Sequence, residues 1–227
     1  MTICVLTGLT KYYGAQLGIE NVSFDVRESE VFGFLGANGA GKTTALRVIM
    51  GLLHPTSGAV TVFGRDVTRH GPEVRASIGY LPGSLALYGG YTGREFLEFL
   101  ASMRQRNCTS SFEQLAERLG LDLSKHINEL SKGNRQKVGL VQALMHSPRL
   151  LILDEPTSAM DFSSEQQFKE RLRAIAAHKT VLIVTHRNSL LDLATRVIVV
   201  DDGKIVADGP RDQVIQALQS GRVGRAS

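Results

Sequence analysis

Gly36-Ala37-Asn38-Gly39-Ala40-Gly41-Lys42-Thr43 fits the pattern G-x-x-x-x-G-K-[ST], a spacing that builds a cradle for phosphate. Glycines let backbone N–H groups turn inward around an anion, and a helix starting at the end of the loop adds its positive end to the same site. Lys42 can reach the β and γ phosphates of a nucleotide. The Thr43 hydroxyl is placed to ligate a bridging Mg²⁺, and Thr44 follows in the same turn. A chance glycine-rich turn does not explain the context: an apolar strand pattern at 31–35 enters the loop and a helical pattern at 45–53 leaves it.

A second place supplies carboxylates. The apolar run 150–153 ends in Asp154-Glu155, at the strand end where open α/β sheets put their ligands. Asp154 is placed to hold Mg²⁺ through water, and Glu155 to polarise an attacking water. Taken alone, such a strand end reads equally as two solvated carboxylates; beside the loop at 36–43 it reads as the hydrolytic half of a triphosphatase. His186 closes another apolar run, 181–185. A lone histidine is usually structural, but this strand end directs it towards a γ-phosphate. His54, His70, His126, His146 and His178 have no comparable context.

The elements that must carry these residues alternate. Short β-rich runs at 3–6, 22–26, 31–35, 60–63, 150–153, 181–184 and 197–200 are separated by helical patterns, an α/β order. The later runs are continuously apolar, which predicts a buried, mostly parallel sheet. From Gly83 to Pro148 the strand signal disappears, and Thr92-x-x-Glu95 and Ser110-x-x-Glu113 each read as a capping box starting a helix. Phe96, Phe99, Leu100 and Met103 form a stripe at helical spacing that reads as core packing rather than a cofactor box. Asp202-Gly203 between apolar runs predicts a tight hairpin, residues 210–219 a last helix, and the tail from Gly221 a loose end.

The chain has 227 residues, 43% hydrophobic and 21% charged, with no low-complexity tract, which excludes a disordered chain. A formal charge of +4 with scattered basic residues singles out neither nucleic acid nor lipid. No apolar run approaches the roughly 20 residues needed to span a bilayer, so any membrane role is expected to come through a partner. Cys4 and Cys108 fit no metal-ligand spacing and read as reduced thiols in a cytoplasmic protein.

With these residues in place the chain resembles the nucleotide-binding domain of the ATP-binding cassette (ABC) family nearly end to end. Leu130-Ser131-Lys132-Gly133-Asn134-Arg135-Gln136 resembles a variant of the family signature LSGGQ, with Lys132 and Asn134 replacing a glycine and the glutamine. The resemblance implies that Ser131 and Gly133 contact the γ-phosphate held by the opposite subunit. It also implies that Tyr13, in Lys11-Tyr12-Tyr13-Gly14, stacks on adenine, although packing alone is the other reading of Tyr13. Ser158-Ala159-Met160-Asp161 is similar to the loop that crosses the dimer interface, so Asp161 is counted with the nucleotide-binding residues, and His186 matches the switch histidine. In the family a glutamine usually follows the strand that here reads Ile78-Gly79-Tyr80-Leu81-Pro82; this chain has Gly83, which bears on coupling more than on ATP binding.

The resemblance implies an α/β P-loop ATPase fold: a mostly parallel core sheet with N-terminal antiparallel strands and an inserted helical subdomain. The expected division is 1–83 with 149–209 as catalytic core, 84–148 as helical subdomain, and 210–227 as C-terminal helix and tail. The expected function is hydrolysis of Mg-ATP by a homodimer, with ATP and Mg²⁺ as cofactors. An integral membrane permease on the cytoplasmic face would be the partner, with export the direction and no direct contact to nucleic acid. From Gly8 to about Pro156 the wording is similar to stand-alone drug or lipid exporter cassettes, and from Thr157 onward to type I secretion exporters. A natural intermediate or an assembled chimera would each give this mixture. The competing classes are a soluble cassette acting on nucleic acid or ribosomes, which usually carries a second cassette or a coiled-coil insertion, and a gated module that binds ATP without turnover, against which Glu155 and His186 argue.

Overall fold

The computed structural model describes residues 1–104, 107–158, 160–177 and 179–221. His178, Ala159 and the tail 222–227 lie outside the described residues. Strands β1 (Thr2–Tyr13) and β2 (Gln16–Arg27) form an antiparallel hairpin twelve residues long on each side. This is far longer than the apolar runs at 3–6 and 22–26: Leu9 and Ile19, outside those runs, are fully buried as well, and backbone pairing continues to Tyr13 and Gln16. There follow β3 (Val31–Leu35), α1 (Lys42–Ile49), β4 (Ser57–Val62), β5 (Arg65–Asp66), α2 (Gly71–Ala76) and β6 (Ile78–Leu81). Helix α1 starts and stops earlier than the pattern at 45–53: its first turn is the polar Lys42-Thr43-Thr44, and Leu53 joins the core from the turn beyond its end.

Next come α3 (Gly93–Met103), α4 (Thr109–Leu119), a 3₁₀ turn at Ile127–Glu129 and α5 (Lys132–Leu144). The capping box at Thr92 is formed: Thr92 Oγ1 accepts from the Glu95 N–H and Glu95 Oε2 accepts from the Thr92 N–H. Removing such a cap costs about 1 kcal/mol. The second expected box is a correction. Helix α4 begins two residues earlier, with Cys108 rather than Ser110 at its N-cap, so Ser110 lies inside it, and Glu113 is drawn instead to Arg94 at 2.6 Å. The stripe on α3 is also corrected: Phe96, Leu97 and Ala101 are buried, whereas Phe99 and Met103 are 40% and 68% exposed. Phe99 turns outward to meet Tyr88 and Tyr91, with ring centroids 6.5 and 6.2 Å away.

The chain ends in β7 (Leu150–Asp154), α6 (Phe162–Ala176), β8 (Thr180–Thr185), α7 (Asn188–Leu191), β9 (Arg196–Asp201), β10 (Lys204–Pro210) and α8 (Arg211–Gln219). Strands β9 and β10 join through Asp202 and Gly203, both at positive φ (45° and 77°), the backbone of the tight hairpin that an Asp-Gly pair favours. One sheet runs β2-β1-β4-β5 and is antiparallel; the other runs β10-β9-β3-β8-β7-β6 and is parallel except at β10.

Every residue of β7 and β8 is buried, as continuous apolar runs require. Ile152, Leu182 and Val184 face α1 and the antiparallel sheet, while Leu151, Leu153, Val181 and Ile183 face Val138 and Val141 of α5 and Phe168 and Leu172 of α6. In the larger sheet β8 lies between β3 and β7, all three parallel. Their C-terminal ends, Leu35, Thr185 and Asp154, therefore emerge side by side.

Candidate nucleotide site

The loop after β3 closes onto α1 through Gly41, whose φ of 100° only glycine adopts easily. A Cβ there would stand 2.4 Å from the carbonyl oxygen of Gly18 and 2.4 Å from Ile19 Cγ2, so strand β2 walls the loop directly. Lys42 is 6% exposed and its Nζ donates to the carbonyls of Gly36 (2.6 Å) and Ala37 (2.9 Å). The ammonium is thus folded back over the loop it would share with phosphate. Burial lowers its pKa, opposed by the nearby charges of Glu155 and Asp154.

Asp154 is 8% exposed, and its pKa is raised first by desolvation and then by Glu155 beside it. The Tyr80 hydroxyl donates to Asp154 Oδ2 at 3.3 Å, and burial together with that carboxylate pushes the Tyr80 phenol up to about 12. Glu155 has a left-handed backbone, φ 47°, a conformation that costs on the order of 1–3 kcal/mol in a non-glycine residue and gathers at functional sites. Its N–H is held by the carbonyl of Val184 at 2.8 Å. This turn brings its carboxylate back over the end of β8. There Thr185 Oγ1 donates to Oε2 (3.2 Å), His186 Nδ1 lies 2.8 Å from Oε1, and Lys42 Nζ lies 3.9 Å from the same oxygen. Against an ionised carboxylate, Nδ1 is the ring nitrogen that carries the proton.

A cavity of about 350 Å³ opens over this cluster. Of the residues singled out by sequence, Asn38, Gly39, Gly41, Lys42, Thr43, Thr44, Asp154, Glu155 and Tyr13 line it. Tyr13 is 42% exposed, its hydroxyl 3.4 Å from Thr44 Oγ1 and its ring under the Lys11 ammonium at 5.6 Å. Gly36, Ala40 and His186 stand behind or beside this lining.

Ser131, Gly133 and Asp161 are not part of the lining. Ser131 caps α5, its Oγ accepting from the Asn134 N–H at 3.2 Å, and Gly133 faces Ser164. Asp161 caps α6, accepting from the N–H and hydroxyl of Ser164 at 2.9 and 2.8 Å. Sequence reasoning missed Gln16, Leu17 and Gly18 in the lining; they carry no motif and arrive only because the β1–β2 hairpin folds over the loop. It also missed Tyr80. Of the other histidines, His146 is buried with Nε2 3.1 Å from the Ile78 carbonyl, a structural contact.

The family model for ABC transporters matches residues 19–158, which span the phosphate loop, the Ser131 segment and the two carboxylates. The chain belongs to the ABC transporter family. This ABC domain is 33% identical over 218 residues to the bacitracin transport ATP-binding protein BcrA of Bacillus licheniformis, covering 94% of the chain and 71% of that protein. It is 36% identical over 221 residues to an uncharacterized ABC transporter ATP-binding protein, YxlF, of Bacillus subtilis, covering 95% and 73%. A bacterial ABC transporter cassette solved as a dimer shares its fold, with a TM-score of 0.83 at 24% identity, covering 92% of this chain and 99% of that one. The domain is accordingly an ATP-binding ABC ATPase.

Among the described residues no group of three or more His, Cys, Asp or Glu side chains could hold a metal ion by itself. The oxygens that are present, the Thr43 hydroxyl and the Asp154 carboxylate beside the phosphate loop, fit Mg²⁺, which takes few protein ligands and completes its shell with phosphate and water. Among the described residues no helix is long and apolar enough to cross a membrane.

Proposed function

We propose that this domain hydrolyses Mg-ATP as a head-to-tail homodimer and drives a separate membrane permease, in the direction of export. The observation that carries the reading is the split between two sets of residues. Lys42, Asp154, Glu155 and His186 converge at the C-terminal ends of the parallel strands, whereas Ser131 caps, and Gly133 sits in the first turn of, a helix that does not border their cavity. A second copy, turned head to tail, would bring its Ser131 and Gly133 to the γ-phosphate and complete each site. The dimeric cassette of the same fold supports this arrangement.

Within one chain the roles follow from the geometry. The backbone N–H groups of the loop, Gly36 to Gly41, and the start of α1 would bind the phosphates, and Tyr13 would stack on the base. Lys42 would exchange its two loop carbonyls for β and γ phosphate oxygens. Thr43 directly, and Asp154 through water, would hold Mg²⁺, which when bound neutralises phosphate charge. Glu155, fixed by Thr185 and His186, would orient the attacking water and draw off its proton. His186 would hold that carboxylate and meet the γ-phosphate. Asp161, at the start of α6, would lie near the dimer interface.

The permease is the partner supported by shape. A groove of about 570 Å³ separates Met50, Ile78 and Tyr80 of the core from Leu85, Tyr88 and Phe96 of the helical segment, an apolar trough suited to a short helix of a membrane subunit. Co-purification with an integral membrane subunit, and its loss when Leu85 is replaced by Glu, is the expected result. Lys42→Ala is expected to abolish ATP hydrolysis, because the charge developing on the phosphates loses its fixed cation; phosphate release near the wild-type rate would refute the site.

A further inference from the structure

Glu165 is a carboxylate only 5% exposed that none of the roles above employs. A buried charge must be paired, and this one is paired twice. Arg187 Nη1 donates to Oε2 at 2.7 Å and the Ser189 hydroxyl donates to Oε1. Glu165 sits in the first turn of α6, and Arg187 directly follows His186. The other arm of the guanidinium, Nη2, donates to the carbonyl of Ser158 at 3.4 Å, and the Arg187 N–H donates to Thr185 Oγ1 at 3.0 Å.

Two further bonds close these contacts into a ring around the hydrolytic residues. The Thr185 hydroxyl donates to Glu155 Oε2 at 3.2 Å, and the Ser158 N–H donates to the Glu155 carbonyl at 3.1 Å. The ring runs from Glu155 through Thr185 to Arg187, and back through Ser158 to Glu155. His186, bonded to Glu155 Oε1, lies within it. The loop after β8 and the turn after β7 are thus tied at two points, through one arginine that α6 anchors.

We propose that Arg187, anchored by Glu165, is a positioning residue for hydrolysis: it fixes His186 and the turn carrying Glu155 in one shared geometry. The proposal rests on the roles assigned above to Glu155 and His186. Arginine suits the task because its planar fork serves a carboxylate and a carbonyl at once, whereas a lysine ammonium is a point charge that cannot span both with the same geometry.

Replacing one partner alone would strand a buried charge, so the main variant replaces both, Glu165→Gln with Arg187→Gln, and Arg187→Lys serves as a milder second. Turnover, KM, equilibrium ATP affinity and the imidazole NMR signals of His186 are measured on the purified domain. Loss of positioning is expected to lower kcat about 10- to 100-fold in the double variant, with ATP affinity within about twofold, since the phosphate loop is untouched. Arg187→Lys should fall between the parent and the double variant, and the His186 signals should shift in both.

A kcat within about twofold of the parent overturns the proposal, as does an affinity loss equal to the loss in kcat or an unmoved His186 signal. Should the double variant fail to melt cooperatively, Arg187→Lys decides by the same criteria. Glu155→Gln and His186→Ala, measured alongside, keep the two readings apart. Full turnover in them would refute the assigned roles, while the His186 signals would still report whether the ring holds the loop.

Discussion

Gly83 follows β6 and rests against the turn that carries Glu155. A Cβ at this position would stand 3.1 Å from the Asp154 carbonyl oxygen and 3.2 Å from Glu155 Cβ, closer than ordinary van der Waals contact, so Gly83→Ala must displace the turn by a few tenths of an ångström. If a misplacement of about 1 Å costs on the order of 10²-fold in rate, a shift of about 0.3 Å costs about fourfold, or about 0.8 kcal/mol of activation free energy. ATP affinity is expected to stay within about twofold, because Gly83 does not line the cavity and the contacts of Lys42, Thr43 and Tyr13 are undisturbed. Gly83→Gln adds the same Cβ together with an amide able to hydrogen-bond to the water around Asp154, so its turnover should exceed that of Gly83→Ala. Phosphate release at saturating Mg-ATP and an equilibrium titration with a fluorescent ATP analogue separate the two quantities. Wild-type turnover in Gly83→Ala would refute the steric reasoning, and an effect of either variant on affinity larger than on turnover would assign position 83 to binding.

The raised pKa of Asp154 means that ionising it opposes folding. That cost is absent below its ordinary value of 3.8 and grows as pH rises through the elevated folded value. Asp154→Asn should therefore melt higher than the parent at pH 7 without nucleotide, with the gap closing towards pH 4 in a calorimetric pH series. Glu155→Gln should bind ATP yet hydrolyse it at least about 100-fold more slowly, so that gel filtration with Mg-ATP shows a persistent dimer; a monomer at high protein concentration would count against the sandwich. Tyr80→Phe removes the hydroxyl that steadies Asp154. It is expected to raise the Mg²⁺ concentration needed for half-maximal nucleotide binding about fivefold, corresponding to about 1 kcal/mol for one long hydrogen bond to a charged group, and to leave binding in EDTA unchanged.

What the sequence determined is what short-range chemistry controls. Eight contiguous residues, 36–43, specify the phosphate loop because its shape is set by backbone conformation and by the helix that starts at its end. Asp202-Gly203 specified its hairpin for the same reason, and the unbroken apolar runs of β7 and β8 announced strands buried on both faces. The tertiary structure decided which strand ends stand together: Leu35, Asp154 and Thr185 are far apart in the chain and become neighbours only through sheet order. It also decided which side of α3 is buried. Phe99 belongs to an apolar stripe yet faces outward, because burial depends on what packs against a helix and not on the helix alone. Gly18 against the phosphate loop, Tyr80 on Asp154, and Glu165 with Arg187 carry no local signal, since each matters only through a contact that long-range folding creates.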